Sequence, residues 1–586
     1  MNLKEKIFAG TGQIKADTIL EHCRILNVNT KEIIHGDIAI TSGIITGIGD
    51  VSDLKDSSTH IIDINNRYVS PGLIDGHVHF ESSMVTLTQF CTKALRHGTT
   101  SIIIDPHEIA NVLGKQGIEL VFEEAKNIPL NIFATISSCV PATTFETSGA
   151  LLDQTGIESL LDNEIVVGLG EMMDFPGVLS GDEKNLAKIT SALNRRLKVD
   201  GHCPGLTGSE LWGYMCAGAS SDHESIEYEE ALEKLRLGMM LMLREGSAAR
   251  SLDSFLPRLV REGISLENVC FVTDDKHPED LIYGYMNLIV KKAIALGVDP
   301  LTAVSMCTLN TARHYHVDHL VGSISIGRKA DLVVLNDLED FAINSVLSGG
   351  APVDAQIPGF TYPDYVFDTI KYKQITAQDL RINNKPNADV TVNIIKVFPD
   401  MIFTQKITKQ IKTNRDGVIL PDVDSDILCT AVIERHGLNG NIGPGLVQGF
   451  NLRSGAFGQS IGHDSHNVIV SGTNFTDMAL AANAIREMKG GIVLVQDAEV
   501  IDSLPLPFAG LLSVAPVEDV AKKLEKLHGI INDMGCTLPA PFITHSFIAL
   551  PVIPELRLTD MGLFDVQKFE LVNVVKNKIL PSVGFY

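Results

Sequence analysis

The sequence predicts an α/β protein: a (β/α)8 TIM-like barrel inserted in a small composite β domain, with an additional C-terminal α/β domain. Three observations predict it. Between residues 70 and 311, strand-like runs alternate with helical stretches of crossover length, the pattern of parallel βα units. On either side, over 1–69 and 312–374, the chain carries short strands broken by tight turns, too few on either flank to close around a core alone. Residues 375–586 then return to a mixed pattern, and at 586 residues the chain is too long for one core.

In chain order, the first strands are Ile33 to Ile40, Gly43 to Ile48 and His60 to Ile64, and partner strands are expected within Gly322 to Leu335. The middle domain opens on Pro71-Gly72-Leu73-Ile74-Asp75-Gly76-His77-Val78-His79, read as a strand from its apolar residues and the Pro-Gly before it. Further strands are predicted at Thr99 to Asp105, Asn131 to Ser137, Ile165 to Gly170, Lys198 to Gly201, near Met215, at Met239 to Leu243 and at Val269 to Thr273, with helices at Gly117 to Lys126, Ile226 to Leu237 and Asp280 to Leu296. The C-terminal region shows strand-like Val390 to Val397, Gly491 to Val495 and Leu511 to Val514, and helical Thr476 to Met488 and Val517 to Leu527.

Composition narrows the function classes. Lys and Arg number 48 against 72 Asp and Glu, a net charge of −24 that disfavours nucleic-acid binding. The nine cysteines are scattered without Cys-x-x-Cys spacing and read as reduced thiols. No apolar run is long enough for a membrane span, and the N-terminus has no signal-peptide core. A soluble, cytoplasmic protein without nucleic-acid or membrane partners is expected, with a homo-oligomer, a dimer, as its assembly.

Chemistry is suggested by the strand ends. A period of two sends His77 and His79 to one face of their strand, where two imidazoles converge. Later predicted strands end on Glu171, His202, His223 and Asp274. Each alone could be an ordinary loop residue or helix cap. Together, four histidines and two carboxylates at the C-terminal ends of strands in one barrel form a set. Two neighbouring divalent cations repel and need an anion between them, for which Glu171 is the candidate. Oxygen and imidazole donors without thiolate suit Mn(II), Fe(II) or Zn(II). Asp274 is suited to move the proton of an activated water, and the whole points to metal-assisted hydrolysis. The glycine-rich stretch Gly449 to Gly458 and the His463-Asp464-Ser465-His466 cluster after it could reach the barrel mouth, form a separate ligand site, or be structural turns.

The opening Pro-Gly-Leu-Ile-Asp-Gly-His-Val-His, the later strand-end His, His and Asp, and the closing Gly327-Arg328-Lys329-Ala330-Asp331-Leu332-Val333-Val334-Leu335 resemble the amidohydrolase superfamily. Within it, Phe80-Glu81-Ser82-Ser83-Met84, Asp105-Pro106-His107-Glu108-Ile109-Ala110-Asn111-Val112, Glu171-Met172-Met173-Asp174, Gly201-His202-Cys203-Pro204-Gly205 and Thr273-Asp274-Asp275-Lys276-His277-Pro278-Glu279-Asp280-Leu281 are similar to the adenine deaminases, over nearly the whole chain. The resemblance implies hydrolysis of free adenine to hypoxanthine and ammonia at a centre of two divalent ions. It implies His77 and His79 on one metal, Glu171 as bridge, His202 and His223 on the other, and Asp274 as ligand and proton shuttle, with Asp275 as the alternative to Asp274. Many superfamily members carry a carboxylated lysine where Glu171 stands, which weakens a hydantoinase or dihydroorotase reading. Attack at C6 would load charge on the ring nitrogens, so a second acid near N1 is expected, with Glu81, His107 and Glu108 as candidates; these three could equally support the metal ligands. Hydrolysis of another aminopurine or cyclic amide, and a non-enzymatic scaffold on the same fold, are the competing readings.

Overall fold

A computed structural model describes residues 1–247, 249–353, 357–399 and 401–576. The barrel strands are β1 (Leu73–His79), β2 (Thr99–Ile104), β3 (Asn131–Ile136), β4 (Val166–Met172), β5 (Lys198–Gly201), β6 (Ser221–Asp222), β7 (Met240–Arg244) and β8 (Val269–Val272). Neighbours pair in parallel from β1 to β5 and again from β6 to β8. A single parallel bridge, Val199 to Ala219, joins the two arcs. The ring closes two residues past the end of β8, where Asp274 and Asp275 pair with Val78 and His79 of β1. Parallel strands covered by helices are buried on both faces, which is why β1, β2, β4 and β8 consist wholly of buried residues.

The two flanks of the barrel build one sheet. Strands Thr18–Asn27, Glu32–Thr41, Ile44–Gly49, His60–Asp63 and Tyr68–Pro71 are completed by Leu332–Leu335, Ile343–Ser348 and Ala351–Pro352 from the far side of the barrel. Tyr68–Pro71 pairs antiparallel with Leu332–Leu335, Pro71 opposite Leu332, and runs straight on into β1. The expected domain boundary at 311 falls inside helix Leu309–His314. Just after that helix, the Tyr315 hydroxyl donates to the Gly76 carbonyl and to Asp200 inside the barrel.

Several sequence expectations need correction. Met215 lies on helix Gly208–Cys216, whose Leu211 and Tyr214, three apart, form a buried helical face. The sixth strand is β6, and two residues are too few to show a period. Of Gly322 to Leu335 only the last four residues are strand. Leu511 to Val514 form no strand: Phe508 bridges Leu512 around left-handed Ala509 and Gly510, a tight turn. The helix expected at Gly117 begins at His107, with a kink at Gly114 where φ is 62°. The helix expected over Asp280 to Leu296 is two, Pro278–Leu281 and Met286–Ala295, parted where Tyr285 turns inward to Asp75.

The C-terminal region is an eight-stranded sheet spanning Asp389–Lys396 to Glu499–Pro505, with helix Phe475–Glu487 burying Met478, Ala481, Ala482 and Ile485 against it. It shares a hydrophobic cluster with the barrel: Phe508, Leu511, Leu512 and Leu524 pack with Val85 and Phe90. Val85 and Ser513 form a parallel bridge across that seam. The C-terminal region is thereby packed over the strand ends. Among the described residues, no helix is long and apolar enough to cross a membrane.

One buried cation sets the spacing of two barrel loops. The Lys234 ammonium, fully buried, donates to the Cys203 carbonyl at 2.8 Å, to Asp222 at 2.9 Å and to Glu230 at 2.6 Å. Cys203 and Asp222 are the neighbours of His202 and His223, so the lysine ties the two loops that carry those histidines. Removing it strands buried carboxylates, and Lys234→Met is expected to lower stability by about 3–5 kcal/mol in denaturant titration.

Candidate metal centre

Six side chains meet at the C-terminal mouth of the barrel. His77 and His79 leave β1 on one face with Nε2 atoms 3.2 Å apart. His79 Nδ1 donates to the Asp105 carbonyl at 2.9 Å, which leaves Nε2 as the lone-pair nitrogen facing the mouth. Glu171 ends β4, and its two oxygens divide the histidines. Oε1 lies 3.2 Å from His79 Nε2, 3.3 Å from His107 Nδ1 and 3.9 Å from His77 Nε2. Oε2 lies 2.6 Å from His202 Nδ1 and 3.2 Å from His223 Nε2. Asp274 repeats the division: Oδ1 faces His79 at 3.2 Å and His77 at 4.0 Å, and Oδ2 faces His223 at 3.9 Å. All six expected residues are buried and converge.

The chain supports this arrangement from beneath. Asp75, fully buried on β1, accepts from the His77 and Thr273 amides at 3.2 and 3.1 Å and from the Thr273 and Tyr285 hydroxyls. One carboxylate therefore fixes both the strand of His77 and the strand end that precedes Asp274. Asp274 itself has φ 58°, a left-handed backbone that Asp adopts more readily than most residues. That turn separates it from its neighbour. Asp275 accepts from Ser82 Oγ at 2.5 Å and stands outside the histidine cluster.

Electrostatics follow from burial and neighbours. Burial alone would raise the Glu171 carboxyl, but His202, His107 and His223 hold it well below the usual carboxylate range. Burial opposes ionisation of Asp274 too, and Arg244 with His79 and His223 overcomes it. Burial and the neighbouring His223 and His79 push His77 down to about 3, so its imidazole is neutral with a free lone pair. Glu171 and Asp274 raise His79 and His223 against the opposing effect of burial, and imidazoles with ionised carboxylates and no thiolate form a donor set that fits borderline divalent cations.

The candidates for a second acid lie to one side. Glu81 is buried, accepts the Ile109 amide at 3.3 Å through Oε1, and leaves Oε2 without a hydrogen-bond partner among the described residues. Burial, with Glu108 beside it, pushes its carboxyl up to about 8. Glu108, also raised by burial, accepts from Ser82 Oγ at 3.1 Å. His107 sits against Glu171, not beside Glu81, and faces Asp464 of the C-terminal region at 3.8 Å.

Sequence reasoning missed Arg244 and Glu224. Arg244, the last residue of β7, donates through Nη1 to both Glu224 and Asp274, and through Nη2 to Glu224 at 3.2 Å. Its place at a strand end was the available signal. Of the C-terminal stretches left open, Gly449 to Gly458 is structural, with Phe450 and Phe457 in the core. His463 and Asp464 reach the mouth: His463 Nδ1 lies 3.7 Å from Glu108 and 3.4 Å from Asp464. His466 is buried nearby with neither ring nitrogen hydrogen-bonded among the described residues.

Two cavities meet at His463. One is lined by the cluster itself with Arg244, Asp464, Phe547 and Leu550. The other is lined by Glu81, Glu108, His277, Gln459 and Phe542.

Residues 68–353 match the amidohydrolase family, and residues 401–570 match the adenine deaminase C-terminal domain. An adenine deaminase of Methanococcoides burtonii is 61% identical over 575 residues, covering 98% of each chain. The chain belongs to the adenine deaminase family. Adenine deaminases of Moorella thermoacetica and Clostridium acetobutylicum are each 41% identical, covering 98% and 97% of this chain and 98% and 100% of their own. Among solved structures, enamidase, a member of the amidohydrolase superfamily, aligns at 20% identity and TM-score 0.44 over 57% of this chain and 95% of its own.

Within this family member, Arg244 is the only lysine or arginine among the described residues that hydrogen-bonds Asp274. Arg244→Met removes the guanidinium shared by two buried carboxylates and is expected to cost about 3–5 kcal/mol in a thermal or denaturant unfolding measurement, with Arg244→Lys recovering part of the loss.

Proposed function

We propose that this protein hydrolyses adenine to hypoxanthine and ammonia. The observation that carries the reading is the division of the Glu171 oxygens between two pairs of histidines, in a chain related over its full length to adenine deaminases. The centre is suited to two divalent ions, Mn(II) or Fe(II) first and Zn(II) compatible: His77 and His79 would hold one, His202 and His223 the other, with Glu171 as the carboxylate between them and Asp274 as a further ligand. Bound divalent ions supply Lewis-acid activation of water at neutral pH.

The residues of the chain do the rest. Water adds its oxygen to C6 of adenine, and Asp274, kept anionic by Arg244, takes the proton that the water loses. A proton must also reach N1, because the ring nitrogen gains the electron pair displaced from the C6–N1 double bond. Glu81 stays protonated at neutral pH and can donate, with Glu108 beside it as the alternative donor. Asp274 then returns its proton to the exocyclic amine, the C6–N bond breaks as the added oxygen forms C6=O, ammonia leaves, and the remaining proton of that oxygen is released as Glu81 is reprotonated. His107, held between Glu171 and Asp464, orients the carboxylates and need not touch substrate. The unpaired cysteines agree with a reducing, cytoplasmic location.

Chelated, metal-free protein is expected to release no ammonia from adenine and to recover on addition of Mn(II) or Fe(II), followed by coupled ammonia detection. Asp274→Asn should lower kcat by about 10²–10⁴-fold with smaller change in metal content. Wild-type turnover in that variant would remove Asp274 from the proton path.

A further inference from the structure

We infer that Gln459 of the C-terminal region is a specificity-determining residue, presenting a single hydrogen-bond acceptor to the ring N–H at the far edge of the adenine base. The inference rests on the proposed adenine deamination and adds the residue that would read the edge opposite the reacting carbon.

Gln459 ends strand Ala456–Gln459 and is buried, lining the second cavity with Glu81 and Glu108. Its amide has a fixed orientation. Nε2 donates to the Phe542 carbonyl at 2.7 Å and faces His545 Nδ1 at 3.5 Å. His545 is fully buried, and burial pushes its imidazole down to about 3, so it is neutral. Its other nitrogen, Nε2, lies 2.8 Å from Ser471 Oγ, whose hydroxyl donates to Thr430. With the serine proton committed to Thr430, His545 Nε2 carries the hydrogen, and Nδ1 is left as an acceptor for the second amide hydrogen of Gln459. Both amide hydrogens are then spent inside the C-terminal region. The atom left to face the cavity is Oε1, an acceptor without a hydrogen of its own.

Around Oε1 the cavity presents the apolar Leu511, Phe542 and Ile543, with the carboxyl groups of Glu81 and Glu108 in the same lining. A planar base with C6 over the Glu171 and Asp274 cluster and N1 toward Glu81 and Glu108 extends its five-membered ring away from the cluster. The outer edge of that ring carries one N–H, at N9 or in the other tautomer at N7. A neutral amide oxygen suits it: it accepts from the N–H and brings no charge near the acids that protonate N1. A base alkylated at N9 has no hydrogen there and leaves Oε1 buried against carbon, which a site built for a donor rejects strongly.

The test compares adenine with 9-methyladenine on the metal-loaded full chain. Wild-type enzyme should favour adenine in kcat/KM by more than about tenfold. Gln459→Met, close in shape but without an acceptor, should raise KM for adenine about tenfold with kcat close to wild type, and should narrow the preference over 9-methyladenine. Unchanged KM and unchanged preference in a folded, metal-loaded Gln459→Met overturn the inference. So does equal use of adenine and 9-methyladenine by wild type, a measurement that stands even if the variants fail to fold. A wild-type enzyme with full metal and no adenine turnover would instead strike the proposed function.

Discussion

The carboxylate of Glu171 is the constraint on which the mouth of the barrel depends. A buried anion costs several kcal/mol unless neighbours compensate it, and here the compensation is spread over histidines at or just past the ends of separate strands. Each must arrive from its own direction, and a closed ring of parallel strands delivers them to one end. The backbone of Glu171 is held as firmly as its side chain. Its amide donates to Asp105 at 3.2 Å, and its carbonyl accepts from Ser138 at 2.6 Å. Asp75 and Lys234 do the same work from below and from the side, holding pairs of strand ends at fixed separation.

The C-terminal region has two roles that cannot be separated. Its apolar residues seal against the barrel around Val85 and Phe90, which excludes water from the mouth and strengthens every charge interaction inside. Its polar residues complete the lining: Asp464 beside His107, His463 beside Glu108, and Gln459 across from Glu81. A barrel alone would have the cluster but lack one wall of the pocket.

Much of this was legible in the sequence because the informative signals are local. Alternation along Leu73 to His79 places two histidines on one face, and Glu171 and Asp274 each follow a recognisable apolar run. Where the signal was not local, the reading failed. A strand of two residues, Ser221–Asp222, has no period to detect, and the amphipathic turn around Met215 took its place. Arg244 looked like the polar end of an ordinary strand, since its partners Glu224 and Asp274 are 20 and 30 residues away. In the C-terminal sheet, Val468–Gly472 lies between Ile427–Ile433 and Ala456–Gln459, an order set by tertiary packing rather than by succession in the chain. The same holds for Asp464, whose approach to His107 joins residues that no motif connects.

The sheet shared by the two flanks also dictates timing. Strand Tyr68–Pro71 leads directly into the strand of His77 and His79, yet its partner Leu332–Leu335 lies more than 250 residues later. During synthesis on the ribosome, the first two histidines therefore emerge long before the edge that anchors their strand exists. The last wall of the pocket comes later still, with Gln459 and His463. The protein must keep its earliest site residues waiting, in an incomplete barrel, until the end of the chain is made, and its vulnerable interval is birth rather than working life.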